Sequence, residues 1–162
     1  MELTKLDVGC GTVGSGDVNC DLFVKNVGHR ETNAPILLDK TKNFVLCDVQ
    51  HLPFKSEGFP IVYCCHVIEH VPNHSLLFRE LLRVSKDQVI IKCPVGLTER
   101  LKFFMRQKRF HLWYFKHSWF MNAAKVCGVK NIVVDASEYF CFPHKFLPWI
   151  QLPYEFTVTI TK

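Results

Sequence analysis

A run of glycines, three carboxylates and a cluster of histidines are the residues of this chain whose types and spacing could do chemistry. Gly9-Cys10-Gly11-Thr12-Val13-Gly14 has the G-x-G-x-x-G spacing of loops that let backbone approach a nucleotide. Asp7, Asp21 and Asp48 each stand at or just past the end of an apolar run. His66-Val67-Ile68-Glu69-His70 spells H-x-x-E-H, and His111 stands apart in "RFHLWYF". His66, Glu69, His70 and His111 are candidate general bases, and the pentapeptide is also a zinc-peptidase signature.

The glycine loop can be taken two ways. In dinucleotide-binding folds the pyrophosphate sits on the N-terminus of the helix that follows the glycines. Only Ser15, Gly16 and Asp17 separate Gly14 from the next apolar run, too few for a helix. Asp17 would repel a phosphate, and the acid for the ribose, due about 20 residues on, arrives much sooner as Asp21. Nicotinamide and flavin dinucleotides are therefore disfavoured. S-adenosyl-L-methionine, which has no phosphates, fits better. It needs close backbone approach at its amino-acid end, an acid for its ribose hydroxyls and a partner for its adenine amine. With the first three strands parallel, Asp7, Asp21 and Asp48 gather along the carboxyl edge of the sheet, where open α/β sheets bind ligands. A single aspartate there would read as a loop or cap residue; three in order behind glycines form a pattern.

The zinc reading needs a helix, so that both histidines share a face. Here the segment continues from a β-branched, cysteine-rich strand and Pro72 follows almost at once. No third ligand has an evident context, and His74 reads as part of the turn before the next helix. No metal is expected.

The elements that must position these residues follow from the apolar pattern. Short apolar runs predict strands over Lys5–Val8, Val18–Phe23, Asn43–Cys47, Pro60–Cys65, Gln88–Cys93, Asn131–Val134 and Phe156–Ile160. Runs as continuous as "VIIKC" suit strands buried on both faces of a parallel sheet. "SLLFRELLRVS" reads as a helix with Leu77, Leu81 and Val84 on one face and Arg79, Glu80 and Arg83 elsewhere. "SWFMNAAKVCG" reads as a second, with Ser118 as N-cap and Gly128 as its stop. Strands alternating with helices predict an α/β domain, mostly parallel.

Composition narrows the class without choosing within it. At 162 residues the chain suits one domain with a single core. A formal charge of +5 permits an anionic partner but is modest for a nucleic-acid binder. Met1-Glu2-Leu3 leads almost directly into the first strand, without a signal-like segment, and no apolar run reaches membrane-spanning length. The expectation is a cytoplasmic protein with no membrane partner. The eight cysteines include no C-x-x-C pair, and Cys47, Cys64, Cys65 and Cys93 lie in or beside apolar runs. They read as small apolar groups rather than a disulfide scaffold.

Taken together these stretches resemble the class I S-adenosylmethionine-dependent methyltransferases. "LDVGCGT" is similar to their first motif, and "CDVQHLPFKSEGFPIVYCCHVIEHVPN" to the stretch in which an Asp, a Leu-Pro-Phe and a strand ending in Glu-His follow one another. "LLFRELLRVSKDQVIIKCP" resembles the next helix and the fifth strand. The resemblance implies a Rossmann-like sheet with an antiparallel last strand. Residues 1–94 would form the cofactor-binding core, and 95–162 the lid, last helix and terminal strands of one domain. It also implies that Gly9, Cys10 and Gly11 approach the methionine moiety with Asp7 beneath. Asp21 would bind the ribose, Asp48 the adenine amine, the Val49 N–H its ring nitrogen, and His66 would line the site near the sulfonium. The family's full helix between glycine loop and second strand is missing or reduced here. The sheet face this leaves bare is expected to weaken cofactor binding and to take a second copy of the chain.

The acceptor is less legible. Exocyclic-amine methyltransferases carry Asn/Asp-Pro-Pro-aromatic after the fourth strand, where this chain has "CCHV". The Pro-Cys nucleophile of cytosine-C5 enzymes is matched only by Cys93-Pro94, in reverse order and after the wrong strand. The basic, aromatic stretch 99–117 suits nucleic-acid stacking or a lid over a small acceptor. The expectation is methyl transfer to a small molecule. The alternatives are a nucleic-acid methyltransferase and a non-catalytic binding or assembly module. The aromatic run 139–155 reads as a loop.

Overall fold

The computed structural model describes residues 4–25, 34–95, 112–141 and 151–162. Strands β1 (Lys5–Val8), β2 (Val18–Asp21), β3 (Phe44–Leu46) and β4 (Phe59–Cys65) precede helix α1 (His74–Val84) and β5 (Ser85–Pro94). Helix α2 (His117–Val126), β6 (Asn131–Cys141) and β7 (Gln151–Thr161) complete the order. One sheet holds all seven strands as β3-β2-β1-β4-β5-β7-β6. Pairing is parallel from β3 through to β5, and β7 runs antiparallel to both its neighbours. This is the expected α/β sheet, mostly parallel with an antiparallel last strand.

The order reverses between β1 and β4, so a crevice opens beyond the carboxyl ends of those two strands. Leu6, Val8, Val62, Cys64, Val89 and Ile91 are buried in the central strands, which explains their unbroken apolar runs. Helix α1 lays Leu77, Phe78, Leu81, Leu82 and Val84 on this core. Each such side chain, once buried, contributes about 1.5–3 kcal/mol. Asn73 caps α1 by accepting from the Leu76 N–H.

No helix joins β1 to β2. The link is a polar knot in which Asn19, fully buried, accepts from the Gly16 N–H and donates to the carbonyls of Gly16 and Lys42. Asp7 Oδ2 accepts from the Ser15 N–H and hydroxyl, each at 2.8 Å. Asp17 turns back to accept from the Thr4 hydroxyl and the Thr4 and Lys5 N–H groups. Those bonds hold its carboxyl below the ordinary value. The loop is thus an assembled structure that fills the place of a helix with hydrogen bonds.

Several boundaries differ from the expectations: β2 stops at Asp21, β5 reaches from Ser85 to Pro94, and His74 is the first residue of α1 rather than part of the turn before it. Ser118 is not the N-cap of α2: Lys116 occupies that position without a side-chain cap, and His117 already starts the helix. β6 runs on to Cys141 and β7 begins at Gln151, where a loop was expected. Irregular register around Ala136–Tyr139 blurs the alternation of β6. Pro153, which has no N–H, falls where β7 has run past its last pair with β5, Pro94↔Glu155. A proline is tolerated on such an edge. Cys10, Cys20, Cys47, Cys64, Cys65, Cys93 and Cys127 are free thiols, and Cys20, Cys64 and Cys93 are buried. Among the described residues no helix is long and apolar enough to cross a membrane.

Candidate functional site

Each strand of the first half delivers one chemical group to the crevice edge. β1 ends in the glycine loop, which is hung on β2: the Gly9 and Cys10 N–H groups both donate to the Cys20 carbonyl, at 2.8 and 3.0 Å. Gly9 has φ +71°, and a Cβ there would stand 2.2 Å from Val67 Cγ2. Its missing side chain therefore lets the loop pack on the segment after β4. Gly11, at φ +65°, has nothing within 4 Å of where its Cβ would be. It offers bare backbone to open space, the cradle a ligand would need. Asp21 closes β2, half-buried; its Oδ2 accepts from the Gly11 N–H at 3.1 Å and its Oδ1 from the Phe23 N–H. Asp48 follows β3, with Oδ1 accepting from the Gln50 N–H and side-chain amide. Val49 beside it is buried.

The sheet therefore brings Asp7, Asp21 and Asp48 to the carboxyl edge of adjacent parallel strands. Their surroundings distinguish them. Asp7 is buried against Ser15 and shapes the loop, whereas Asp21 and Asp48 are half-buried at the edge.

The other half of the crevice is charged. His66, just past β4, adopts φ +54°, unusual for a residue with a side chain, and its N–H donates to the Lys92 carbonyl. One ring nitrogen, Nδ1, lies 3.3 Å from Glu69 Oε1; the other, Nε2, lies 2.9 Å from Glu155 Oε2. Lys92 Nζ is 2.9 Å from Glu155 Oε1. Glu69 is 1% exposed and Glu155 3%. Glu69 is thus placed against His66 within the protein rather than open to an acceptor. Its carbonyl accepts the Leu112 and Trp113 N–H groups, and the Trp113 indole donates to the Val71 carbonyl. His70, half-buried, sits in a turn closed by its N–H on the Val67 carbonyl. Residues 66–73 form turns and no helix, so the H-x-x-E-H spacing lacks the geometry of a zinc-peptidase site. His111 and most of the 99–117 stretch lie outside the described residues.

Lys92 and Glu155 were not singled out from the sequence. The signal was present as a lone lysine in the apolar run "VIIKC" and a lone glutamate opening "EFTVTI". Pairing them requires knowing that β5 and β7 are antiparallel neighbours with Lys92 opposite Thr157. Burial and nearby Glu69 push the Cys64 thiol well above its ordinary value. Burial likewise raises Cys65.

A family model described as "Methyltransferase domain" matches residues 6–92, and the chain belongs to that family. It is an S-adenosylmethionine-dependent methyltransferase of the class I fold. No curated protein matches the chain in sequence. Among solved structures it is similar to a methyltransferase of this kind from Thermotoga maritima, at 16% identity and TM-score 0.71, over 100% of this chain and 83% of that one. One from Archaeoglobus fulgidus shares 12% identity with TM-score 0.70, over 99% and 86%. Magnesium protoporphyrin IX methyltransferase from Synechocystis, solved with bound S-adenosylhomocysteine, shares 18% identity with TM-score 0.61, over 99% and 74%.

Proposed function

We propose that this enzyme methylates a small-molecule acceptor held beside the carboxyl ends of β4 and β5. When bound, S-adenosylmethionine would supply a sulfonium methyl that an aligned acceptor takes in one displacement, with S-adenosylhomocysteine as the leaving group. Gly11 and the neighbouring Gly9 and Cys10 backbone take the amino-acid end, over the loop that Asp7 secures. Asp21 binds the ribose hydroxyls, and Asp48 and the Val49 N–H receive the adenine. His66 borders the reacting methyl. His70 is the base for an acceptor that must lose a proton, with Glu69 acting through His66 as a positioning residue. His111 is proposed to reach the acceptor from the 99–117 stretch.

The observation that carries this reading is the open, left-handed Gly11 facing Asp21 at the switch point of the sheet. A small acceptor is supported by the buried, internally paired charges beside it and by a structural relative that acts on a porphyrin. The edge left bare by the missing helix is proposed to take a second copy of the chain.

Calorimetric titration with S-adenosylmethionine and S-adenosylhomocysteine tests the cofactor half. Saturable binding is expected, and loss of at least about tenfold in affinity in Asp21→Ala, a loss of about 1.4 kcal/mol or more. Failure of the folded wild type to bind either ligand would overturn the reading.

A further inference from the structure

The crevice holds a donor set of which the proposed methyl transfer uses only His66, at the border of the methyl. Cys65 ends β4, His66 follows it, and Glu155 comes from β7 across β5. One ligand atom from each, the thiol sulfur, a ring nitrogen and a carboxylate oxygen, lie within 4.8 Å of one another. Only His66 is shared with the donors that the H-x-x-E-H spacing suggests: Cys65 is its neighbour in sequence, and Glu155 is brought by the fold.

The groups around this triad are arranged as outer partners. Glu69 Oε1 faces His66 Nδ1, leaving Nε2 on the side of Glu155. A buried carboxylate behind an imidazole fixes the tautomer and orientation of a metal-binding histidine. Glu69 Oε2 is buried with no hydrogen-bond partner, so this carboxyl group is not fully satisfied by the protein around it. Lys92 holds Glu155 by Oε1, leaving Oε2 toward His66. The left-handed backbone of His66 costs on the order of 1 kcal/mol or more, and such strain concentrates where a side chain must be aimed.

We propose that Cys65, His66 and Glu155 bind one divalent cation of the zinc and cobalt class, with Glu69 as the positioning residue for His66. Thiolate and imidazole donors select zinc over magnesium or calcium, which prefer all-oxygen shells. Three protein ligands leave a fourth position for water or another small donor, the pattern of zinc sites that do more than brace a fold. The inference shares His66 with the cofactor reading, but none of the three ligands is needed to hold ribose or adenine, so metal binding is tested without the cofactor.

The test is cobalt titration of the chelator-stripped, reduced full chain. One equivalent is expected to bind with a thiolate-to-cobalt charge-transfer band in the near ultraviolet and visible bands of tetrahedral strength, and zinc should displace it. Cys65→Ser should abolish the charge-transfer band, and Glu155→Gln should weaken zinc binding at least about tenfold. Glu69→Gln should keep the band while weakening affinity by about 10–100-fold. Circular dichroism of each variant establishes that it is folded. Absence of the band in wild type, or an unchanged band in folded Cys65→Ser, would overturn the proposal. The second result would assign the cobalt to other thiols.

Discussion

Two glycines in one loop do different work. Gly9 is packed: any Cβ collides with Val67. Gly9→Ala must push the glycine loop off the segment after β4, and we predict a loss of about 1–3 kcal/mol in stability from overpacking. Gly11 is open, so Gly11→Ala carries only the cost of a left-handed alanine, on the order of 1–2 kcal/mol. Its larger effect should be on S-adenosylhomocysteine affinity, because the added methyl stands in the cradle. Denaturant melts and calorimetry on both variants separate the roles. Equal binding by Gly11→Ala and wild type would remove Gly11 from the site. His74 is a second residue-scale case. Its ring is enclosed by Trp113, Phe115 and Trp119, at centroid distances of 4.6, 5.5 and 5.0 Å, and its Nδ1 is buried without a partner. Burial lowers its affinity for a proton. The unfolded chain therefore takes up a proton first as pH falls through about 6.5, and stability drops there by at most about 1.4 kcal/mol per pH unit. His74→Phe should flatten that part of the stability profile. An unchanged slope between pH 7 and 5 would show that His74 is not its source.

At the scale of elements, the segment between β3 and β4 has almost no regular structure, yet it carries Asp48. It is held by α1. Arg83 grips Glu80 through two bonds, at 2.7 and 2.8 Å, and donates to the carbonyls of Phe54 and Leu52. Glu80 in turn accepts the Leu52 N–H. The Arg83 hydrogen bonds hold the Glu80 carboxyl below its ordinary 4.5. A lowered carboxyl contributes stability that is complete above the unfolded value and lost as pH falls through the folded one. Glu80→Gln should thus cost about 1 kcal/mol at neutral pH, with the gap to wild type closing below roughly pH 4. It should also weaken cofactor binding by loosening Asp48. Thermal melts from pH 3 to 7 check the first point; a gap constant across that range would refute the linkage. This clamp also shows what was legible in the chain. The helical period separated Arg79, Glu80 and Arg83 from Leu77, Leu81 and Val84, because burial imposes that period. The partners of Glu80 and Arg83 lie 28 to 31 residues away on an irregular loop, where no period operates. The same holds for the site. Asp21 and Asp48 are announced by strand ends, whereas the Lys92–Glu155 pair spans 63 residues and exists only once β7 inserts antiparallel beside β5.

For the whole molecule, the consequence of replacing a helix with a knot is an uneven surface. Beside the glycine loop and along β2 and β3, Val13, Leu22, Phe23, Leu38 and Leu46 are exposed, Leu46 by 61%. β3 is only three residues long and lies at the end of the sheet, so it offers little that could shield them. Scattered apolar residues need no explanation, but several at one edge of a sheet raise the cost of leaving it in water. A closed, two-fold association would bury the same edge on both copies and could not propagate into a filament. The proposed dimer therefore predicts sedimentation of wild type at twice the chain mass at micromolar concentration. Leu38→Glu with Leu46→Glu should shift it to a monomer, since burying two unpaired carboxylates per copy costs several kcal/mol. Asp21 and Asp48 border this edge, so the dissociated variant should also bind S-adenosylhomocysteine less tightly than the dimer. A wild type that sediments as a monomer at every concentration would leave the cofactor site standing on the knot alone, and the double variant would then bind as wild type does.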